Sequence, residues 1–253
     1  ERPDVVVLDA DVSPSTMTCY FAEAFPERHF DCGIAEQNMV SIAAGLASAG
    51  KVVFVSTFAV FAAPKVYDQV RMNLAQPGHN VKIVATHGGV TVGEDGFSHQ
   101  AIEDLALMTS VPGLTVVVPA DGPETEQVVR AAAQTPGPFY IRLGRPKVPA
   151  VHGDGYRFEL GRAEVLREGR EVTIIACGLL VAEALKAAES LSAGGVACRV
   201  INMATIKPLD EAAVEAAARQ TGAIVVAQEH LEQGGLGGAV AQALAQRYPV
   251  PVE

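Results

Sequence analysis

The stretch Asp31-Cys-Gly-Ile-Ala-Glu-Gln-Asn-Met39 sets a lone acid, Glu36, just past a glycine turn and at the head of an apolar, alanine-rich run. A carboxylate in the first turn of a helix is favoured by the helix macrodipole, so Glu36 reads either as a helix-start acid or as a site acid. On both sides of it, short apolar runs alternate with helical patterns. Residues 5–8, 52–56, 82–85, 115–118 and 139–142 read as strands, with helices expected over 14–24, 36–49, 62–76, 101–109 and 122–134. This is the β-α-β rhythm of a doubly wound parallel sheet. Ligands of such sheets gather beyond the C-terminal strand ends, and the segments 57–61 and 87–96 both lie directly after strands.

A second α/β unit follows, with strands expected at 172–176, 197–202 and 223–228 and helices at 179–192, 210–219 and 236–247. The fold class is therefore α/β with two doubly wound domains, over residues 1–147 and 156–253. Residues 148–155, rich in proline and glycine with little periodicity, read as the linker. Val250-Pro-Val-Glu253 reads as the opening of a strand that is cut short.

Composition narrows the function. Apolar residues make up 49% of 253, enough for two buried cores, and the net charge of −10 is spread along the chain without a basic stripe. Nucleic acid is excluded as an expected partner. No apolar run approaches the ~20 residues of a membrane span, and the N-terminus has no signal pattern. A cytoplasmic location follows as the expectation. The four cysteines (Cys19, Cys32, Cys177, Cys198) show no metal spacing, so no metal site is expected on them. They read as reduced and mostly buried small apolar residues.

Two further stretches carry chemistry. Ser56-Thr-Phe-Ala-Val-Phe61 presents two aromatic rings, which read as core packing or as the walls of a ligand slot. Thr86-His-Gly-Gly-Val-Thr-Val-Gly-Glu-Asp-Gly-Phe-Ser-His-Gln100 combines two histidines, two acids and four glycines, which permit unusual backbone angles and close ligand approach. With the stretch around Glu36, and in this order, these segments resemble the C-terminal half of the transketolase family of thiamine diphosphate enzymes.

The resemblance implies a pyrimidine-binding domain followed by a transketolase C-terminal domain, with roles for particular residues. Glu36 corresponds to the acid that hydrogen-bonds N1′ of the cofactor's aminopyrimidine, and Phe58 and Phe61 to the rings around it. Pro64 stands where the family often has a third aromatic residue. His99 corresponds to a residue on the donor's carbonyl or hydroxyl oxygen, Asp95 to a reader of a sugar hydroxyl, and His87 to a residue near the sugar phosphate. Arg145 and Ser15 correspond to phosphate contacts, and Asp11 to an acid near the cofactor at the subunit contact. Gly153-Asp154-Gly155 imitates the opening of the family's magnesium–diphosphate motif but lacks the downstream asparagines. Gly234-Gly235-Leu236-Gly237-Gly238 misses dinucleotide spacing and reads as tight packing.

The implied protein is the C-terminal subunit of a split transketolase. It would move a two-carbon ketol unit between sugar phosphates and share thiamine diphosphate with an N-terminal subunit that holds most of the Mg2+ contacts, in an α2β2 heterotetramer. Two relatives in chemistry remain open, a 1-deoxyxylulose-5-phosphate synthase and the beta subunit of a 2-oxo acid dehydrogenase. Glu94-Asp95 with His99-Gln100 favours transketolase over the dehydrogenase, and Phe61 in place of an arginine disfavours the synthase. A non-catalytic scaffolding subunit that keeps the fold is the alternative of another class.

Overall fold

The computed structural model describes residues 2–253. The chain divides into two compact units. The first comprises the residues up to Val116 together with Val129–Arg145, and the second Val117–Val128 together with Pro146–Glu253.

The first unit opens with β1 (Val5–Asp9), α1 (Ser13–Thr16), α2 (Cys19–Ala24), β2 (His29–Asp31) and α3 (Glu36–Ser48). It continues through β3 (Val52–Phe58), α4 (Ala59–Ala62), α5 (Tyr67–Gln69), β4 (Val81–Thr86), α6 (Asp104–Ser110), β5 (Thr115–Val117), α7 (Gly122–Gln134) and β6 (Phe139–Arg142). Helix α7 and strand β5 straddle the division between the units. The strand order is β5-β6-β4-β3-β1-β2, and β1–β2, β1–β3, β3–β4 and β4–β6 all pair in parallel. Strands covered on both faces read as continuous apolar runs, and Leu8, Val53, Val55, Ile83 and Ile141 are accordingly buried. Helix α3 turns Met39, Val40, Ala43 and Ala44 inward, the i, i+1, i+4, i+5 spacing of one buried stripe.

The expected elements hold with instructive departures. The helix expected over 14–24 is two short helices, because Met17 takes a left-handed backbone (φ 63°) between them. The helix expected over 62–76 is broken at Pro64, which fits no helix interior, and resumes as α5 running into a π-helical turn, Val70–Ala75. Strand β2 escapes a pattern-based reading because its three residues are half-buried or exposed. The cysteines split evenly: Cys177 and Cys198 are buried, Cys19 and Cys32 only partly so, and all four are free thiols. "Mostly buried" was thus right for half of them.

The second unit contains β7 (Glu164–Arg167), β8 (Val172–Ala176), α8 (Leu180–Ala193), β9 (Cys198–Asn202), β10 (Thr205–Lys207), α9 (Glu211–Thr221), β11 (Ile224–Ala227) and α10 (Gly235–Arg247). Four of its strands form a sheet of order β11-β8-β9-β7, parallel except for β7, which runs antiparallel to β9. Val252 bridges Ile224 in parallel, so the last residues do add strand-like pairing to β11. The tight packing read for Gly234–Gly238 holds at Gly235 and Gly237, while a side chain at Gly238 would meet open space. Gly235 lies against the side chains of Gln228 and His230, and Gln228 Oε1 accepts the Leu236 N–H at the head of α10.

A buried polar knot pins residues 151–156 within this second unit. Asp121 accepts backbone N–H bonds from Glu124 (2.9 Å), Val151 (2.7 Å) and His152 (2.9 Å). Glu124 accepts from the Ala120 N–H, the Tyr156 hydroxyl and the Asn202 amide. Burial works to raise the Asp121 carboxyl, but these donors outweigh it and hold the group below its ordinary value. Glu124 goes the other way, raised by burial despite its donors. A carboxyl held low stabilises the fold at pH above its unfolded value, and that stability is lost as pH falls through the folded value. Asp121→Ala strands three buried N–H groups at ~1–3 kcal/mol each. We expect urea unfolding at neutral pH to show a loss of at least ~3 kcal/mol, shrinking in acid below about pH 4. A loss that stayed constant across that range would show that the Asp121 charge is not what the knot uses.

Candidate active site

The turn before α3 is built by Asp31. Its Oδ1 accepts the N–H of Gly33 (2.9 Å) and of Asp11 (3.1 Å), and Gly33 takes a left-handed backbone (φ 69°) that its missing Cβ permits. Glu36 is therefore delivered at the first position of α3, where the residue is buried. One cation meets it. Lys65 Nζ lies 2.5 Å from Glu36 Oε2 and 5.2 Å from the Phe61 ring centroid. Gln37 holds this segment in place by donating its amide to the Lys65 carbonyl.

Around this pair stands an aromatic group. Phe58 ends β3 and Phe61 lies one helical turn later, with rings stacked at 6.1 Å. His87 stacks on Phe58 at 3.9 Å, and His99 meets Phe61 edge-on at 5.5 Å. His87 has a positive φ of 60° and is buried, with Nδ1 2.9 Å from the Thr86 hydroxyl. Burial first, and the nearby Arg145 charge next, push its imidazole below the ordinary histidine value. That direction favours the uncharged imidazole, a ring with a donor or acceptor, over a fixed charge.

Arg145 lies beside the same loop. Its guanidinium donates to the Val92 carbonyl and to Glu94 Oε2 (2.9 Å), with Asp95 Oδ2 at 3.6 Å. The side chain keeps 36% exposure. The structure thus links Glu36, by way of Lys65, to Phe61, Phe58, His87 and His99, and separately pairs Arg145 with Glu94 and Asp95, close enough for their charges to act on His87. Asp11 sits in the β1–α1 turn and Ser15 in the first turn of α1, where its N–H donates to the Val12 carbonyl. That turn is organised by Asp9, which is buried and accepts from Val12 N–H, Thr16 Oγ1 and Thr18 Oγ1.

Sequence reasoning missed Lys65, Asp9 and the support under the histidine loop. That support is a buried ion pair. Arg142 Nε donates to Asp104 Oδ2 (3.1 Å) and Tyr140 Oη to the same oxygen (2.8 Å). Arg142 also donates to the Ala101 carbonyl, while Gly88 and Gly89 N–H groups bond Leu143 and Ala101 carbonyls. Arg142 and Ala101 are 41 residues apart and the other pairs are also long-range, so no local pattern could have revealed them. An Asp at the end of an apolar strand, two residues before Asp11, was the available signal for Asp9.

Gly88 lies directly against the Arg142 guanidinium, and a Cβ there would occupy the space of Nε. Gly88→Ala forces Arg142 off Asp104 and leaves a buried charge without its partner, a change worth ~3–5 kcal/mol. We expect a stability loss of that order by denaturant unfolding. A loss below about 1 kcal/mol would show that Arg142 relaxes freely and that the loop does not depend on it.

Residues 1–151 match the model of the transketolase pyrimidine-binding domain, and residues 161–253 that of the transketolase C-terminal domain. The chain is 46% identical over 244 residues to a putative transketolase C-terminal section of Methanocaldococcus jannaschii, covering 96% of this chain and 76% of that protein. It is 42% identical to a 6-deoxy-6-sulfo-D-fructose transketolase subunit of Clostridium sp. (strain MSTE9), covering 98% of this chain and 77% of that one. Among solved structures, a split-gene transketolase described as an inactive beta4 tetramer superposes with a TM-score of 0.92 at 54% identity, over 99% of this chain and 82% of its own. This chain belongs to the transketolase family and carries its pyrimidine-binding and C-terminal domains.

Proposed function

We propose that this protein is the C-terminal subunit of a split transketolase, which moves a two-carbon ketol unit from a ketose phosphate to an aldose phosphate. The observation that carries the reading is Glu36: a buried carboxylate at a helix head, met by one cation and set beside stacked aromatic rings. Those residues suit thiamine diphosphate, whose aminopyrimidine needs a carboxyl group at one edge and flat apolar faces. When bound, the cofactor supplies the nucleophilic thiazolium carbon, and the protein supplies orientation and proton control. An N-terminal partner subunit would hold the diphosphate and Mg2+.

The chain's own residues divide the remaining work. Glu36 holds a proton against the pyrimidine N1′. Phe58 and Phe61 pack the ring and exclude water. His99 donates to the substrate oxygen on which negative charge develops. His87, being neutral, contributes a directional hydrogen bond in place of charge. Asp95 reads a sugar hydroxyl. Arg145 recognises the terminal anion, exchanging Glu94 for phosphate in the bidentate geometry its planar fork favours. Ser15 adds a phosphate contact, and Asp11 lies near the cofactor at the subunit contact. The Clostridium relative is named for a sugar bearing a terminal sulfonate, which supports reading Arg145 as a reader of an anionic end.

The relative described as an inactive beta4 tetramer supports an assembly of subunits in which this type of chain alone does not turn over. The test is reconstitution. The purified chain should give no ketol transfer, and the chain mixed with its N-terminal partner, thiamine diphosphate and Mg2+ should form product from a ketose phosphate and an aldose phosphate. Transfer by the single chain would overturn the split-subunit reading. Assembly without turnover across a broad panel of sugars would instead favour the scaffolding alternative.

A further inference from the structure

Thr86 is the last residue of β4, and His87 follows it directly. Their side chains share one hydrogen bond, with His87 Nδ1 2.9 Å from Thr86 Oγ1, and both residues are buried. His87 is held in place by its surroundings. Its backbone takes φ 60°, a left-handed value that bulky residues seldom adopt. Its ring stacks on Phe58 at 3.9 Å, and the Gly88 N–H just beyond it donates to the Leu143 carbonyl.

The hydroxyl decides which ring nitrogen carries the proton. A neutral imidazole has one N–H donor and one bare acceptor nitrogen, and a threonine hydroxyl can donate or accept. A buried hydroxyl proton needs an acceptor. Among the described residues, the hydrogen bond of the Thr86 hydroxyl is to His87 Nδ1. If Nδ1 bore the proton, the hydroxyl would accept, and its own proton would be buried without a partner. With Nδ1 bare, the Thr86 O–H donates to it and both groups are satisfied. The imidazole proton then sits on Nε2. The uncharged ring that this requires is the form favoured by burial and by the Arg145 charge. His99 has a similar neighbour, with Ser98 Oγ 3.0 Å from its Nδ1. Ser98 is exposed, so water can satisfy either form and the hydroxyl fixes nothing there.

We propose that Thr86 is a positioning residue that locks His87 as an Nε2–H donor, so that His87 selects a ligand atom able to accept a hydrogen bond, an oxygen of a hydroxyl or a phosphate. The tautomer belongs to the chain by itself, whereas its use on a sugar phosphate rests on the transketolase reading. Thr86 touches no substrate and acts through the ring of His87.

The experiment is long-range proton–nitrogen correlation spectroscopy of the histidine rings in the nitrogen-15-labelled chain, at a pH above the ordinary histidine value of about 6.5. It tells protonated from bare ring nitrogens, and the His87 signals are assigned by their loss in His87→Gln. Native His87 should show a protonated Nε2 and a bare Nδ1. Thr86→Val keeps the branched shape and removes the hydroxyl. It should move the His87 tautomer ratio toward Nδ1–H by about two- to ten-fold, the range for one hydrogen bond. Thr86→Ser should restore the native ratio. In the enzyme assembled with its N-terminal partner, Thr86→Val should raise KM for a ketose phosphate by a similar factor and leave kcat within about two-fold, as for a contact made equally in ground and transition states. A proton on Nδ1 of native His87, or an unchanged ratio in Thr86→Val, would overturn the lock. A shifted ratio with unchanged KM would overturn its role toward the substrate. No turnover by the native assembly would overturn the ketol-transfer reading, and the spectra would still decide the lock.

Discussion

Because β1, β2, β3, β4 and β6 run parallel, their C-terminal ends share one edge of the sheet, and the segments leading to Glu36, Phe61, His99 and Arg145 all depart from it. A parallel sheet thereby collects residues that are distant in sequence without any of them needing to be near another along the chain. Everything proposed for the site depends on that pairing. Residues 57 and 58 of β3 sit beside 85 and 86 of β4, so Phe58 and His87 are neighbours by register before any side-chain preference acts. The stack between them completes what the register begins.

Two ion pairs then do different jobs. Arg142 and Asp104 are both withdrawn from water, and Tyr140 and the Ala101 carbonyl complete their hydrogen bonding. A pair in that setting gives little net stability, but its disruption is costly, so it fixes one geometry of the loop above it. Lys65 and Glu36 are unequal: the acid is buried and the base is half in solvent. An exposed ammonium gives up such a contact at small cost. The first pair suits a support for the loop above it.

How much of this was legible in the chain follows from the range of each interaction. The strands that build the sheet are apolar runs that announce themselves, and Glu36 was visible because its turn glycine and apolar helix are local. The aromatic pair Phe58 and Phe61 and the histidine loop were visible as ordered stretches. Lys65 was not, because the segment around Pro64 was read as continuous helix, which would have fixed the lysine on a helical face. The Arg142–Asp104 pair and the bonds of Asp121 to Val151 and His152 join residues some thirty to forty apart and carry no local signature. Strand β2 was missed because an edge strand with exposed side chains has no burial pattern to read.

The central claim is that Glu36 handles the proton at the cofactor's pyrimidine. The most direct measurement is hydrogen–deuterium exchange at the thiazolium C2 of bound cofactor, in the assembled enzyme carrying Glu36→Gln. The amide keeps the volume of the side chain and leaves the neighbouring rings in place, but cannot hold or release the proton. The account predicts exchange slowed by at least ~10²-fold, the lower end for a lost acid–base group, with the fold intact. Exchange at the native rate would contradict it.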